Sequence, residues 1–174
     1  IGTGHVMRCL TLADTLQLEG AECTFICRGH TGHLVELIRE RGHQVRILAT
    51  SDALQSDANH APLSHAAWLG TDWATDATES QHAIGSRIVD WLVVDHYALD
   101  HRWEKMMRPF SKQIMVIDDL ADRIHDCDLL LDQTLGKSAE DYRSLVPDHA
   151  SKFIGPRYAL LRPEFANLRA YSLH

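Results

Sequence analysis

The sequence predicts an α/β domain: a parallel sheet with helices on both faces. Three observations lead there. Short apolar runs alternate with segments of helical periodicity, and glycines punctuate the joints. The run Asp90-Trp91-Leu92-Val93-Val94-Asp95-His96-Tyr97 has a near-continuous apolar centre, as expected of a strand buried on both faces of a parallel sheet. Three apolar runs end in polar residues, at Asp95-His96-Tyr97, Asp118-Asp119 and Asp132-Gln133. In a parallel sheet those ends share one edge, where ligands collect.

The elements follow in order. Val6, Leu10, Ala13 and Leu16, joined by Met7 and Leu18, recur at helical spacing, and Gly20 closes that helix. Ala21 to Arg28 reads as a strand. Residues 29–33 form a loop in which Thr31 is a candidate N-cap. A helix from Leu34 to about Arg41 stops at Gly42, and His43 to Ala49 is the next strand. This strand–helix–strand unit is a βαβ pattern. Residues 50–66 are polar and aperiodic, a surface excursion. Trp68-Leu69-Gly70 and Trp73 precede a helix that runs to about Ile84.

After the strand at Asp90, a helix over Asp100 to Arg108 turns Trp103, Met106 and Met107 inward. Strands follow at Gln113–Asp119 and Cys127–Gln133. The tail from Phe153 to Phe165 reads as a strand or linker packed back on the domain, with Pro163 suited to the first turn of a terminal helix. No internal repeat or low-complexity tract divides the chain, so residues 1–174 form one domain.

Composition narrows the function. A chain of 174 residues, 45% apolar and 24% charged, can build a sizeable core. Its net charge of −7 argues against a general nucleic-acid binder. No apolar run is long enough to cross a bilayer, and no signal peptide is visible. The four cysteines, Cys9, Cys23, Cys27 and Cys127, lack C-x-x-C spacing and sit in apolar surroundings, which reads as reduced thiols in a cytoplasmic protein. Twelve histidines are scattered. His5 with Cys9, or His30 with His33, could share a helix face, but neither pair has further ligands at structural-zinc spacing. The sequence calls for no metal and no cofactor.

The chemistry concentrates at Gly2-Thr3-Gly4-His5. Glycines before a helix admit a ligand close to the backbone, and the helix N-terminus offers unpaired N–H groups to an anion. His5 falls in the first turn. A positive dipole end disfavours an imidazolium, and a neutral imidazole can act as a general base. The competing reading is a plain strand-to-helix turn with a solvated histidine. A dinucleotide fingerprint is disfavoured, because Met7 stands where its third glycine would be. The motif opens the chain with no strand before it, so the first strand of the sheet is expected to be missing. The other polar ends also have structural readings. Asp118 or Asp119 can cap a turn, Asp132 can hold neighbouring N–H groups, and His96 and Tyr97 can pack.

Several motifs, taken in order, carry a resemblance. They are Ile1-Gly2-Thr3-Gly4-His5-Val6-Met7-Arg8-Cys9-Leu10-Thr11-Leu12-Ala13, Trp68-Leu69-Gly70, the run Asp90 to Tyr97, and Ile117-Asp118-Asp119-Leu120-Ala121-Asp122-Arg123. Cys127 to Gln133 and Gly155 to Phe165 complete the set. Together they resemble the UDP-2,4-diacetamido-2,4,6-trideoxy-β-L-altropyranose hydrolases of bacterial pseudaminic acid biosynthesis.

The resemblance implies a two-domain protein of the GT-B type, similar to the peptidoglycan N-acetylglucosaminyltransferase. This chain would be its Rossmann-like N-terminal half, without the first strand and without the C-terminal domain that holds most UDP contacts. It implies His5 as the base that activates water, and a UDP-sugar partner bound near Gly2, Thr3, Gly4, Asp95, His96 and Tyr97. The chain alone is then expected to be nearly inactive. Two other readings share these motifs: a GT-B transferase that passes the sugar to an acceptor, and a non-catalytic sugar-nucleotide binding module.

Overall fold

The computed structural model describes residues 2–30, 32–49, 63–162 and 164–165. The expected capping residue Thr31, Pro163 and most of the 50–66 excursion lie outside these residues. The chain alternates helix and strand: α1 (Thr3–Leu18), β1 (Thr24–Arg28), α2 (Val35–Glu40), β2 (Gln44–Leu48), α3 (Trp73–Ile84), β3 (Val89–Val94), α4 (His101–Met107), β4 (Ser111–Ile117), β5 (Leu129–Asp132) and β6 (Ser151–Ile154). Short 3₁₀ turns fill several joints, among them Ala66–Leu69 and Ala139–Tyr142.

Among the described residues every strand pairing is parallel, as expected, yet the strands form two sheets rather than one. β1 pairs with β2, and β3-β4-β5-β6 make a four-stranded sheet. The tail therefore supplies a true strand, β6, paired Asp132↔Ile154 at its end. Registers such as Val94↔Val116 and Ile117↔Leu131 bring the carboxyl ends of β3, β4 and β5 to one edge.

Helices cover both faces of β1. Side chains alternate across a strand. Cys23, just before β1, points its thiol at the Ala13 carbonyl of α1, whereas Arg28 reaches the other way to Asp76 and Glu79 of α3. Arg28 is buried and also donates to the Ala49 carbonyl, while Trp103 Nε1 donates to Asp76 at 2.9 Å. This cluster ties β1 to α3 and α4 and so joins the two sheets. On the α1 side, Asp14 holds Arg41 at 2.6 Å and His43 at 2.8 Å beyond α2.

The main core lies under α3 and α4. Leu69, Ala77, Val94, Trp103, Met107, Ile114, Val116, Leu130 and Tyr142 pack there. Each large side chain buried this way contributes about 1.5–3 kcal/mol. Asp72 caps α3 through the N–H groups of Ala74 and Thr75, and Asp100 caps α4 through that of Arg102.

Three expectations need correction. β3 is not buried on both faces: Trp91 is 45% and Val93 36% exposed. The apolar stripe of α1 is only partly covered, because Leu10 and Ala13 are buried while Leu16 and Leu18 are exposed. His30 and His33 share no helix face; both lie in the loop before α2. Gly20 and Gly42 do end their helices, with φ of +90° and +87°.

Candidate functional site

α1 begins at Thr3, with Gly2 as its N-cap, so Thr3 and Gly4 are already helical and His5 stands in the first turn. Gly2 has an ordinary φ of −68° and Gly4 is not in the left-handed region, so neither glycine is there for backbone conformation. A Cβ built on either would meet nothing within 4 Å. What these residues provide is open space in front of the helix end. No side chain caps the first turn.

His5 is fixed from behind. Its Nδ1 lies 2.6 Å from Asp95 Oδ1, at the carboxyl end of β3. Arg8, one turn along α1, grips the same carboxylate in a fork, Nε to Oδ2 at 2.6 Å and Nη2 to Oδ1 at 2.5 Å. Arg8 Nη1 also reaches Asp119 at 3.1 Å, just past β4. The thiol of Cys9 points at Asp95 Oδ2 at 3.4 Å. His5, Arg8 and Cys9 share one helix face, as positions three and four apart do. Asp95 is thus walled in, its side chain 4% exposed against 12% for His5. The Arg8 guanidinium and the His5 ring hold its carboxyl below the usual carboxylate range, against the opposing effect of burial.

A carboxylate accepts only, so Nδ1 carries the proton in this pair. In the neutral ring Nε2 would then bear the lone pair; it has no hydrogen-bond partner among the described residues. This is the arrangement of an oriented base.

Aromatic rings border the histidine. Tyr97 meets His5 edge to face, with ring centroids 4.7 Å apart. Burial, and then the neighbouring Asp119 carboxylate, push the Tyr97 phenol up to about 12, so it stays protonated near neutrality. His65 and Trp68 extend the cluster, with His65 5.4 Å from Tyr97 and 4.5 Å from Trp68. Trp68 is 44% exposed. A cleft of about 300 Å³ lies between Gly2, His30, Ala67 and Trp68. A second, of about 350 Å³, is lined by Gly4, Arg8 and Thr11 of α1 together with Arg162 and Phe165. The helix end carrying His5 is therefore flanked by open clefts.

The structure brings Gly2, Thr3, Gly4, His5, Asp95 and Tyr97 together. Asp95, expected beside the substrate, faces His5 and Arg8 and is shielded from the clefts. His96 turns inward: its Nδ1 accepts from the Ala98 N–H at 3.0 Å, and burial, with His5 next, lowers its pKa to about 3. Asp118 is fully buried, accepts from the Ala121 N–H and pairs with Arg123 at 2.9 Å. Asp132 accepts from the Thr134 N–H at 2.7 Å. The Tyr142 hydroxyl lies 3.1 Å from Asp118 and 2.9 Å from Asp132, bridging the two strand ends.

Sequence reasoning missed Arg8, Trp68 and Tyr142 as parts of this edge. Arg8 could have been found, since it stands three residues after His5. No group of three or more His, Cys, Asp or Glu placed to hold a metal ion occurs among the described residues. No helix among them is long and apolar enough to cross a membrane.

No family model matches the chain. Over 75 residues it is 36% identical to the UDP-2,4-diacetamido-2,4,6-trideoxy-β-L-altropyranose hydrolase of Campylobacter jejuni. That stretch is 42% of this chain and 27% of the relative. The match supports a possible relationship to that hydrolase, and the α/β fold with parallel sheets is consistent with a Rossmann-like domain.

Proposed function

We propose that this chain carries the water-activating wall of a UDP-sugar hydrolase, with His5 as general base. The substrate is a UDP-linked 2,4-diacetamido-2,4,6-trideoxyhexose, and the setting is bacterial pseudaminic acid biosynthesis in the cytoplasm. The observation that carries the reading is the 2.6 Å contact of His5 Nδ1 with Asp95, which leaves Nε2 without a hydrogen-bond partner among the described residues at an open helix end. The partial likeness to the Campylobacter hydrolase supplies the substrate class.

In this mechanism Nε2 takes a proton from water as the water oxygen attacks the anomeric carbon. The bond from that carbon to the diphosphate oxygen breaks, UDP leaves with the electron pair, and the free sugar forms with inversion. His5 then returns its proton to solvent. Asp95 holds the ring and balances the charge it gains. The uncapped first turn of α1 favours the departing diphosphate. Tyr97 and Trp68 border the sugar. A C-terminal nucleotide-binding domain, in the GT-B arrangement, closes the other side and holds the uridine.

The test is incubation of the two-domain protein with its UDP-sugar and no acceptor. Stoichiometric release of UDP and free sugar is expected, and His5→Ala should lower the rate about a hundredfold or more. An untouched donor that is consumed once an acceptor is added would identify a transferase instead. Unchanged turnover in His5→Ala would remove the histidine from the mechanism.

A further inference from the structure

His30 plays no part in the mechanism above, yet it borders the same helix end as His5. It lies just past β1, and with Gly2, Ala67 and Trp68 it lines the cleft of about 300 Å³. We propose that this cleft is a subsite for an acetamido arm of the sugar, with Trp68 against the acetyl group and His30 hydrogen-bonded to its amide. The inference rests on the UDP-sugar reading and adds to it the residues that select an N-acetylated substrate.

The lining decides the ligand chemistry. Among the described residues no carboxylate, ammonium or guanidinium lines the cleft, so nothing there pairs with a phosphate or another charged group. What the cleft offers is an indole left 44% exposed, the Ala67 methyl and a single polar side chain. Small neutral groups are bound in this way, by apolar walls with few placed polar atoms. An N-acetyl group matches: a methyl for the indole, a carbonyl that accepts and an N–H that donates. A neutral imidazole supplies one donor and one acceptor, and the His30 ring makes no hydrogen bond to any described residue. A plain hydroxyl would leave the indole face uncovered.

Both sides of the cleft are held in place. Trp68 belongs to the turn Ala66–Leu69; its backbone N–H donates to the His65 carbonyl at 2.9 Å, and the next residue, Leu69, is buried. The His65 and Tyr97 rings lie 4.5 and 6.0 Å from the indole, between centroids. Tyr97 in turn meets His5, so a run of rings leads from the base to the cleft. His30 is pinned through its backbone. Its N–H donates to the Arg28 carbonyl at 2.9 Å, and its carbonyl accepts from His33 at 3.2 Å.

Gly70 makes room for the His30 ring. It closes the Ala66–Leu69 turn with φ of +76°, and a Cβ there would stand 2.5 Å from His30 Cε1 and 3.4 Å from Arg28 Cδ. Arg28 cannot give way, because Asp76 and Glu79 hold it at 2.6 and 2.7 Å. His30 thus rests against a residue that only glycine suits. The contact fixes the end of β1 to the turn that carries Trp68. The Trp68-Leu69-Gly70 motif then has a use in order: a platform, an anchor and a cradle.

A uracil ring also stacks on an indole and hydrogen-bonds through an amide edge, so uridine is the rival occupant. Continuity with His5 favours the sugar, since the reacting carbon and its ring substituents must lie beside the base.

The experiment titrates the 174-residue chain with free 2,4-diacetamido-2,4,6-trideoxyaltrose, and with analogues bearing a hydroxyl in place of one acetamido group or of both. Uridine is titrated separately. NMR follows the His30 ring and Trp68 indole signals, and saturation transfer to the acetyl methyls. The diacetamido sugar should shift both signals, with stronger transfer to one methyl, which identifies the arm. Analogues lacking that arm should bind about fivefold or more weakly. His30→Phe keeps a ring against Gly70 and removes the hydrogen bonds. It should lose the preference for the acetylated sugar, and His30→Asn should restore part of it. Trp68→Leu should abolish the stronger transfer. The comparison among sugars on the unaltered chain decides the case even where a variant fails to fold. Four outcomes would overturn the inference: no shift at His30 or Trp68 with the diacetamido sugar, equal affinity for the analogue lacking both arms, an unchanged preference in folded His30→Phe, or shifts with uridine in place of the sugar. None of these readouts needs hydrolysis. UDP release without shifts at His30 and Trp68 would remove the subsite and leave the activity, and shifts without UDP release would do the reverse.

Discussion

Asp95 Oδ1 and His5 Nδ1 are 2.6 Å apart although 90 residues separate them in the chain. The contact joins the first turn of α1 to the carboxyl end of β3, so the proposed base is oriented by the sheet rather than by its own helix. Asp95→Asn keeps the shape and removes the charge. The amide can present its NH₂ to Nδ1 and select the wrong tautomer. We expect kcat to fall about a hundredfold or more with KM changed little. Steady-state kinetics on the proposed two-domain protein check this. A loss confined to KM would place Asp95 at the substrate instead.

Arg8 offers a test of stability that needs no substrate. Its guanidinium grips Asp95 and Asp119 and is itself largely covered. Arg8→Met keeps much of the apolar stem and leaves Asp95 with fewer donors in a buried position. Breaking one partner of such a pair is costly, and unfolding in urea should show a loss of about 2–4 kcal/mol. Arg8→Lys should recover only part of it, because an ammonium cannot form the fork.

Tyr142 bridges two strand ends from the core. Its hydroxyl meets Asp118 and Asp132, both fully buried, and burial, followed by the neighbouring carboxylates, raises its pKa. Tyr142→Phe removes the single O–H donor that the two carboxylates share and should destabilise by about 1–3 kcal/mol in urea or thermal unfolding. Asp118 keeps Arg123 and the Ala121 N–H, whereas Asp132 keeps only the Thr134 N–H among the partners seen here. The loop after β5 should therefore loosen more than the loop after β4, measurable as faster amide exchange at Thr134 than at Ala121.

How far the sequence could be read depended on whether the signal was local. The alternation of helix and strand was legible because apolar spacing and glycine stops act within one element. His5 stood out because two glycines precede it at the start of a helical pattern. Its pairing with Asp95 was not legible, since no periodicity links residues 90 apart, and the fork from Arg8 depends on that pairing. β3 misled in a different way. Its apolar run was read as doubly buried, but burial is decided by neighbours, and Trp91 and Val93 lack them on the described chain. β6 was ambiguous because it has only four residues and gains its identity from pairing with β5.

His96 supplies a pH signature. Its ring is held neutral in the fold, with a pKa of about 3 caused first by burial and then by His5, and its Nδ1 accepts the Ala98 N–H. In the unfolded chain the ring titrates near 6.5. Between those values the unfolded state binds the proton and the native state does not. Stability from this residue is therefore fully present above about pH 6.5 and drains as pH falls toward 3, with a slope of up to one proton. Asp95 and Asp118, whose folded pKa values are lowered, lose their contributions only at lower pH, as the solution passes from the ordinary carboxylate range down through the folded values. The midpoint of urea unfolding, followed between pH 7 and 5, should thus fall in the wild type before the carboxylates act. In His96→Asn, which can still accept from a backbone N–H, that decline should be shallower by about one proton. An equal decline in both proteins would mean that His96 becomes protonated without leaving its place.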